Sequence, residues 1–215
     1  MKKEDIMVSV LLITYNQDRY IRQAIESILE QKVSFAIEIF IGDDASIDGT
    51  GDVVREFSTN PQIHIISRQK NVGATRNVYD LQKRAKGKYL AYLEGDDYWC
   101  DPEKLQRQVD FLETHPSYIG CTHRCEIVDE EGIPYQNQSV HWISQKSEYS
   151  IQDFQGIILA GHTSSLVHRN LFLDSDDRYK KLITLHPLIG DRSLCLLLAS
   201  QGDLYQLSQI MSCYR

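Results

Sequence analysis

The chain has 215 residues, 42% apolar and 25% charged, the composition of an ordinary globular protein with enough length to bury a sizeable core. Its formal net charge of −7 argues against general binding to nucleic acid, which needs positive charge facing phosphates. Five cysteines, an odd number, argue against a disulfide framework, and no apolar run approaches the ~20 residues of a membrane helix.

The start, Met1-Lys2-Lys3-Glu4-Asp5, is basic and then acidic, which does not read as a signal peptide and makes the cytoplasm the expected compartment. Met7–Ile13 is rich in Val, Leu and Ile and reads as a buried strand. Tyr20, Ile21, Ala24, Ile25, Ile28 and Leu29 then fall on one helical face. Glu38–Ile41 is a second strand; Asp48-Gly49-Thr50 is a turn, with Asp48 or Thr50 placed to cap a helix carrying Val53, Val54 and Phe57. Ile63–Ile66 is a third strand, Val78–Ala85 a helix stopped by Gly87, and Tyr89–Leu93 a fourth strand. Strand and helix alternate throughout this stretch, so the expected architecture is α/β, a mostly parallel sheet covered by helices on both faces.

The second half is less regular. Pro102–Leu112 reads as a helix, Ile119–Val128 as a strand, and the polar stretch Tyr135–Tyr149 as a long loop or loose hairpin. Ser164–His168 suits a buried strand, and Asp191–Ser200 a helix stopped by Gly202. Cys121, His123 and Cys125 alternate along the strand and so share a face; their spacing matches no common zinc site, and a structural thiol cluster is the better reading.

Ligands bind parallel sheets beyond the carboxyl ends of the strands. Thr14-Tyr15-Asn16, Asp43-Asp44 and Glu94-Gly95-Asp96-Asp97 all follow strands and should meet on one rim. Like charges side by side at Asp43-Asp44 repel, an arrangement that fits a ligand, a metal or a phospho-acceptor site. Three carboxylates within four residues make a hard-oxygen set suited to Mg²⁺ or Mn²⁺, which prefer one or two carboxylates together with substrate phosphates. Tyr98 and Trp99, beside that turn, would not normally decorate an exposed loop. Asp191 stands where it could cap its helix or act as a general base. Arg68, Lys70 and Arg76 are the basic groups nearest these turns. The Gly-rich dinucleotide and P-loop signatures are absent.

Four blocks in order carry a resemblance. Val8-Ser9-Val10 through Thr14-Tyr15-Asn16, with Tyr20, Ala24-Ile25, Ser27-Ile28-Leu29 and Gln31, resembles the opening of glycosyltransferase family 2. Asp43-Asp44-Ala45-Ser46 with Asp48-Gly49-Thr50 is similar to its second block. Asn71-Val72-Gly73, Arg76-Asn77, and Gly87-Lys88-Tyr89 into Glu94-Gly95-Asp96-Asp97-Tyr98-Trp99 resemble its third, and Gly190-Asp191 its fourth.

The resemblance implies one GT-A domain, with residues 7–100 as a nucleotide-binding half and 101–215 on the acceptor side. It implies an inverting, metal-assisted transfer of a hexosyl or N-acetylhexosaminyl group from a nucleotide sugar, most often a UDP-sugar, to a saccharide or lipid-linked saccharide in cell-surface polysaccharide synthesis. Thr14, Tyr15, Asn16, Asp43, Asp44, Arg76 and Gly95 would then serve the nucleotide. Asp96 would bind Mn²⁺ or Mg²⁺, together with Glu94, which stands where the family more often has Asp. Asp191 would be the base, and His162 and Trp99 would lie on the acceptor side. Lipid-linked acceptors would bring such an enzyme to the inner face of the membrane. Similar sequences continue past Tyr214-Arg215, so a truncated or compact form is expected. The competing reading is a non-catalytic nucleotide-sugar-binding module of the same fold.

Overall fold

The structure, a computed structural model, describes residues 5–136, 140–154, 158–173, 186 and 188–215. The elements run β1 Val8–Thr14, α1 Ile21–Leu29, β2 Ile37–Asp43, α2 Thr50–Glu56, β3 Ile63–Ser67, α3 Ala74–Gln82, β4 Tyr89–Glu94, β5 Tyr98–Trp99 and α4 Lys104–Thr114. They continue with β6 Tyr118–Ile127, β7 Glu148–Tyr149, a 3-10 turn Thr163–Ser165, β8 Val167–Arg169, α5 Gly190–Ala199 and β9 Asp203–Tyr214.

One sheet carries all these strands in the order β3-β2-β1-β4-β8-β6-β9-β5, with β7 paired to β9. The first four strands are parallel. Strand β8 then runs antiparallel to β4 and β6, so the sheet is mixed and mostly parallel in its first half. Residues alternate across β1. Val8, Val10 and Leu12 join Ile21, Ile25 and Ile28 of α1 and Leu105, Val109 and Leu112 of α4 on one face. Leu11 packs with Tyr79 and Leu81 of α3 and Leu194 and Leu198 of α5 on the other. Two apolar layers on one sheet explain why β1 is buried along nearly its whole length.

Four expectations need correction. Helix α3 starts at Ala74, directly after Gly73 at φ +86°, rather than at Val78. Gly87 does not stop that helix, which ends at Gln82; a Cβ at Gly87 would lie 2.4 Å from the Ser9 nitrogen, so glycine is needed for close approach to β1. Ser164 and Ser165 sit in the 3-10 turn, and the strand begins only at Val167. Strands β5 and β9 were not anticipated, although β9 has 12 residues. Cys121 is a core thiol that accepts a hydrogen bond from the Gln108 amide, as a structural cysteine would.

Candidate active site

The chain order along β3-β2-β1-β4 reverses between β1 and β4, which opens a crevice at their carboxyl ends. The register brings the expected turns together there: Thr14 pairs with Asp43, and Ile13 with Glu94. A cavity of about 190 Å³ at this point is lined by Thr14, Tyr15, Gln17, Asp44, Asn77 and Glu94, among others. A neighbouring cavity of about 130 Å³ shares Ile13, Ala74 and Glu94 with it and adds Thr75, Thr163 and Asp191. Glu94 thus stands between a pocket carrying Asp44 and a pocket carrying Asp191.

Asp44 is buried, and its two carboxylate oxygens accept the Val72 and Gly73 N–H groups at 2.8 Å each, with the Arg68 guanidinium at 3.8 Å. It therefore clamps the loop before α3 against the β2 end. Asp43 accepts from the Ser46 hydroxyl and N–H, and it lines neither cavity. Asn16, at φ 54°, accepts the Ile47 N–H and so ties two rim loops together. Ala45, at φ 64°, holds a left-handed conformation that costs roughly 1–3 kcal/mol without glycine. Asp48 accepts the Thr50 N–H in a turn, but the cap of α2 is Gly49 and no side chain caps that helix, so the expected capping role is not taken.

Arg76 is exposed and lines neither cavity. Asn77, one residue on, is buried and lines the larger one; its amide donates to the Gly42 carbonyl and accepts from Arg68. Gln17 is a further lining residue outside the expected set. Its Oε1 accepts from the Thr14 hydroxyl at 2.8 Å. A signal was present in each case: both residues directly follow a singled-out motif residue.

The acidic turn divides its labour. Gly95 is buried, and a Cβ there would lie 2.4 Å from Gln17 Oε1 and 2.7 Å from Thr14 Oγ1, so this close approach of the turn suits glycine. Glu94 faces both cavities, and burial, then the charges of Asp96 and Asp191, push its pKa up to about 7. Asp96 is half-buried at the rim. Asp97 turns inward: its oxygens accept from the Ser164 hydroxyl at 2.5 Å and the Arg215 N–H at 3.2 Å, and burial holds its pKa well above the carboxylate range. Arg215 also donates to the Asp96 carbonyl and lies over the Tyr20 and Tyr98 rings.

His162 is buried, and its Nδ1 accepts from the Ser164 N–H. Burial lowers its pKa to about 4, so the 3.6 Å approach to Asp97 is a contact of a neutral imidazole rather than an ion pair. Trp99 does not present a face to the crevice. It is 4% exposed, its indole N–H donates to the Ser164 carbonyl, and the Lys104 ammonium lies 4.0 Å from its ring centre. In this arrangement the acceptor-side contact expected of Trp99 is not available; the ring is scaffold behind the acidic turn.

Asp191 also departs from its expected local role. It lies inside the first turn of α5 rather than at the cap, and no side chain caps that helix. The helix end is held from α3 instead: Thr75 Oγ1 accepts the Gly190 N–H at 3.2 Å, and the Tyr79 hydroxyl donates to the Gly190 carbonyl at 3.2 Å. With its backbone pinned, Asp191 stays exposed at the cavity wall.

Among the described residues, no cationic side chain pairs with Glu94, Asp96 or Asp191. The same charges raise the Glu94 pKa, as expected of an acidic wall lacking a counter-charge. No group of three or more ligating side chains converges among the described residues. One or two carboxylates with water and phosphates suffice for Mg²⁺ or Mn²⁺, so Asp96 and Glu94 fit such an ion held jointly with a diphosphate.

The crevice at the carboxyl ends of the parallel strands thus gathers an acidic turn and a carboxylate in the first turn of a helix. Residues 9–176 match the glycosyl transferase family 2 profile, and the chain belongs to that family. The Escherichia coli protein WfaP, named as a UDP-Glc:α-D-GlcNAc-diphosphoundecaprenol β-1,3-glucosyltransferase, is 37% identical over 115 residues, covering 53% of this chain and 44% of WfaP. The Staphylococcus aureus TarS structure (residues 1–349) superposes with a TM-score of 0.73 at 18% identity, over 97% of this chain and 60% of that one. The Pyrobaculum calidifontis mannosyltransferase PcManGT, solved with GDP-Man and Mn²⁺, superposes with a TM-score of 0.66 at 16% identity, over 99% of this chain and 60% of that one. These superpositions establish the GT-A-like fold. The chain spans half or less of the length of the curated relatives it matches. No helix among the described residues is long and apolar enough to cross a membrane.

Proposed function

We propose that this chain transfers a sugar from a nucleotide-diphosphate donor, a UDP-sugar, to an acceptor hydroxyl in cell-surface polysaccharide synthesis, with inversion at the anomeric carbon. The observation that carries the reading is the position of Glu94 in the wall between two cavities, one with Thr14 and Asp44 and the other with Asp191. Family membership supports it, as do WfaP, named for a UDP-sugar donor and a lipid-linked acceptor, and the Mn²⁺ bound with a nucleotide sugar in PcManGT.

In this mechanism Thr14, Tyr15 and Gln17 border the nucleoside, and Asp44 holds the loop 71–73 over it. Asp96 and Glu94 would hold the divalent ion, which supplies charge stabilisation for the departing diphosphate. Asp191 accepts the proton of the acceptor hydroxyl. The oxygen attacks the anomeric carbon from the face opposite the diphosphate; the new glycosidic bond forms as the bond to the phosphate oxygen breaks, and the bonding pair leaves with the nucleoside diphosphate. A lipid-linked acceptor would place the reaction at the inner face of the membrane, with the protein peripheral to it.

The experiment pairs binding with turnover. UDP with Mn²⁺ is expected to raise the melting temperature by mass action, and UDP-sugar is expected to release UDP slowly through transfer to water. Asp191→Asn should keep the melting shift and lose UDP release. Binding without any turnover by the unaltered chain would instead favour a non-catalytic nucleotide-sugar-binding module, and absence of binding on folded protein would overturn the donor reading.

A further inference from the structure

Three aromatic rings cluster beside the acidic turn, where His162 Nδ1 lies 3.6 Å from Asp97. The His162 and Tyr214 rings lie 4.3 Å apart, and Trp142 lies 5.7 Å from His162 and 6.3 Å from Tyr214, nearly perpendicular to the latter. Their exposure is graded: His162 is buried, Tyr214 half-buried, and Trp142 36% exposed. Tyr214 lies beside the acidic turn, because the N–H of Arg215, the next residue, donates to Asp97 at 3.2 Å. The Trp142 carbonyl accepts the Leu159 N–H at 2.8 Å, which fastens the segment to the strip leading into His162. Thr163, the next residue, lines both the cavity shared by Glu94 and Asp191 and a second one reached by Asp191.

A large apolar ring left at the surface and supported from behind by two more rings is not explained by core packing. An indole face suits the flat C–H face of a pyranose, whose hydroxyls point outward from the ring edge. A lipid tail would ask for a wider apolar groove. Here the two rings behind the indole, His162 and Tyr214, each carry a polar group.

We propose that Trp142, backed by His162 and Tyr214, is the platform on which the terminal pyranose of the acceptor stacks. The proposal rests on the transferase reading, since the acidic turn gives the platform its significance. Trp99, the other tryptophan, is buried behind the turn and serves as an internal reference.

The chain has two tryptophans, so intrinsic fluorescence reads the platform directly. Methyl β-D-glucopyranoside and N-acetylglucosamine are titrated into the chain with UDP and Mn²⁺ present, with sorbitol at equal concentration as an open-chain control. The cyclic sugars should alter the emission of the solvent-facing tryptophan and sorbitol should not. Trp142→Ala should abolish the response and raise the acceptor KM roughly tenfold, the scale of one lost aromatic stacking contact. Trp142→Phe should recover most of that KM. The UDP-induced melting shift should be the same in all three proteins. No response to either pyranoside, an equal response to sorbitol, or an unchanged KM in Trp142→Ala overturns the platform. The titration is repeated without UDP and Mn²⁺: a pyranoside response there, in a chain that shows no UDP shift, would overturn the donor reading and leave the platform standing.

Discussion

Asp97 and Ser164 share a 2.5 Å hydrogen bond across 67 residues of chain, and it joins the acidic turn to the 3-10 turn that carries His162 at its cap. The carboxylate that looks in sequence like a third metal ligand is therefore a tie between the two halves of the sheet. Its other oxygen takes the N–H of Arg215, at the end of β9.

Removing that tie should cost stability more than chemistry. Asp97→Ala leaves the Ser164 hydroxyl and the Arg215 N–H without their acceptor, each buried orphan costing roughly 1–3 kcal/mol. Denaturant melts should show a lower midpoint with an unchanged slope. A wild-type midpoint in Asp97→Ala would mean that the inward-facing carboxylate contributes nothing to the fold.

Glu94→Gln should do the reverse. The variant removes a buried charge that stands against Asp96 and Asp191 and that burial already disfavours. The apo protein should melt higher at pH 8, by about 2–4 °C for each kcal/mol recovered, while the Mn²⁺-dependent part of the UDP shift shrinks. Unchanged Mn²⁺ dependence would remove Glu94 from the cation's surroundings.

Asp44→Ala should act on the donor pocket through backbone. The Val72 and Gly73 N–H groups lose their shared acceptor, so the loop before α3 should loosen and UDP affinity should fall by about tenfold or more, the equivalent of one 1.4 kcal/mol interaction. Calorimetric titration with UDP and Mn²⁺ measures this directly. Arg76→Ala, on an exposed side chain outside both cavities, should leave the affinity as it was.

Lys104 gives a pH dependence with a definite sign. Its ammonium is fully buried with no hydrogen-bond partner among the described residues, facing Trp99 from β5, with Cys121 and His123 of β6 nearby. Burial lowers its pKa from 10.5 to about 7. Between those values the unfolded chain binds more protons than the folded one, so this residue's contribution to stability rises with pH across that window. Below about 7 both states are protonated and the whole cost of burying the charge is present. Lys104→Met, of similar length, should raise the melting temperature most at pH 6 and least near pH 10. A gain independent of pH would show that Lys104 does not carry the proton.

The early strands were legible because each is an apolar run bounded by polar turns. Val8, Val10 and Leu12, with Ile21, Ile25 and Ile28, announce a sheet face and the helix that covers it. The meeting of Thr14, Asp44 and Glu94 follows from parallel alternation alone, since such strands present their carboxyl ends to the same rim. What the chain order could not yield was contact between distant segments. Strand β9 alternates poorly because its pairing with β6 slips between His123 and Cys125, so no period marks it. Arg76 resembles a phosphate ligand by its motif, yet the turn of α3 points Asn77 into the pocket instead. Asp96 and Asp97 are the same residue type side by side; one reaches the rim and the other the interior only because Ser164 and Arg215 arrive from far along the chain. Local composition and period determine which segments become strands, helices and functional turns. Burial and hydrogen-bond partners, supplied by residues remote in sequence, decide which side chain in each turn does chemistry and which holds the fold.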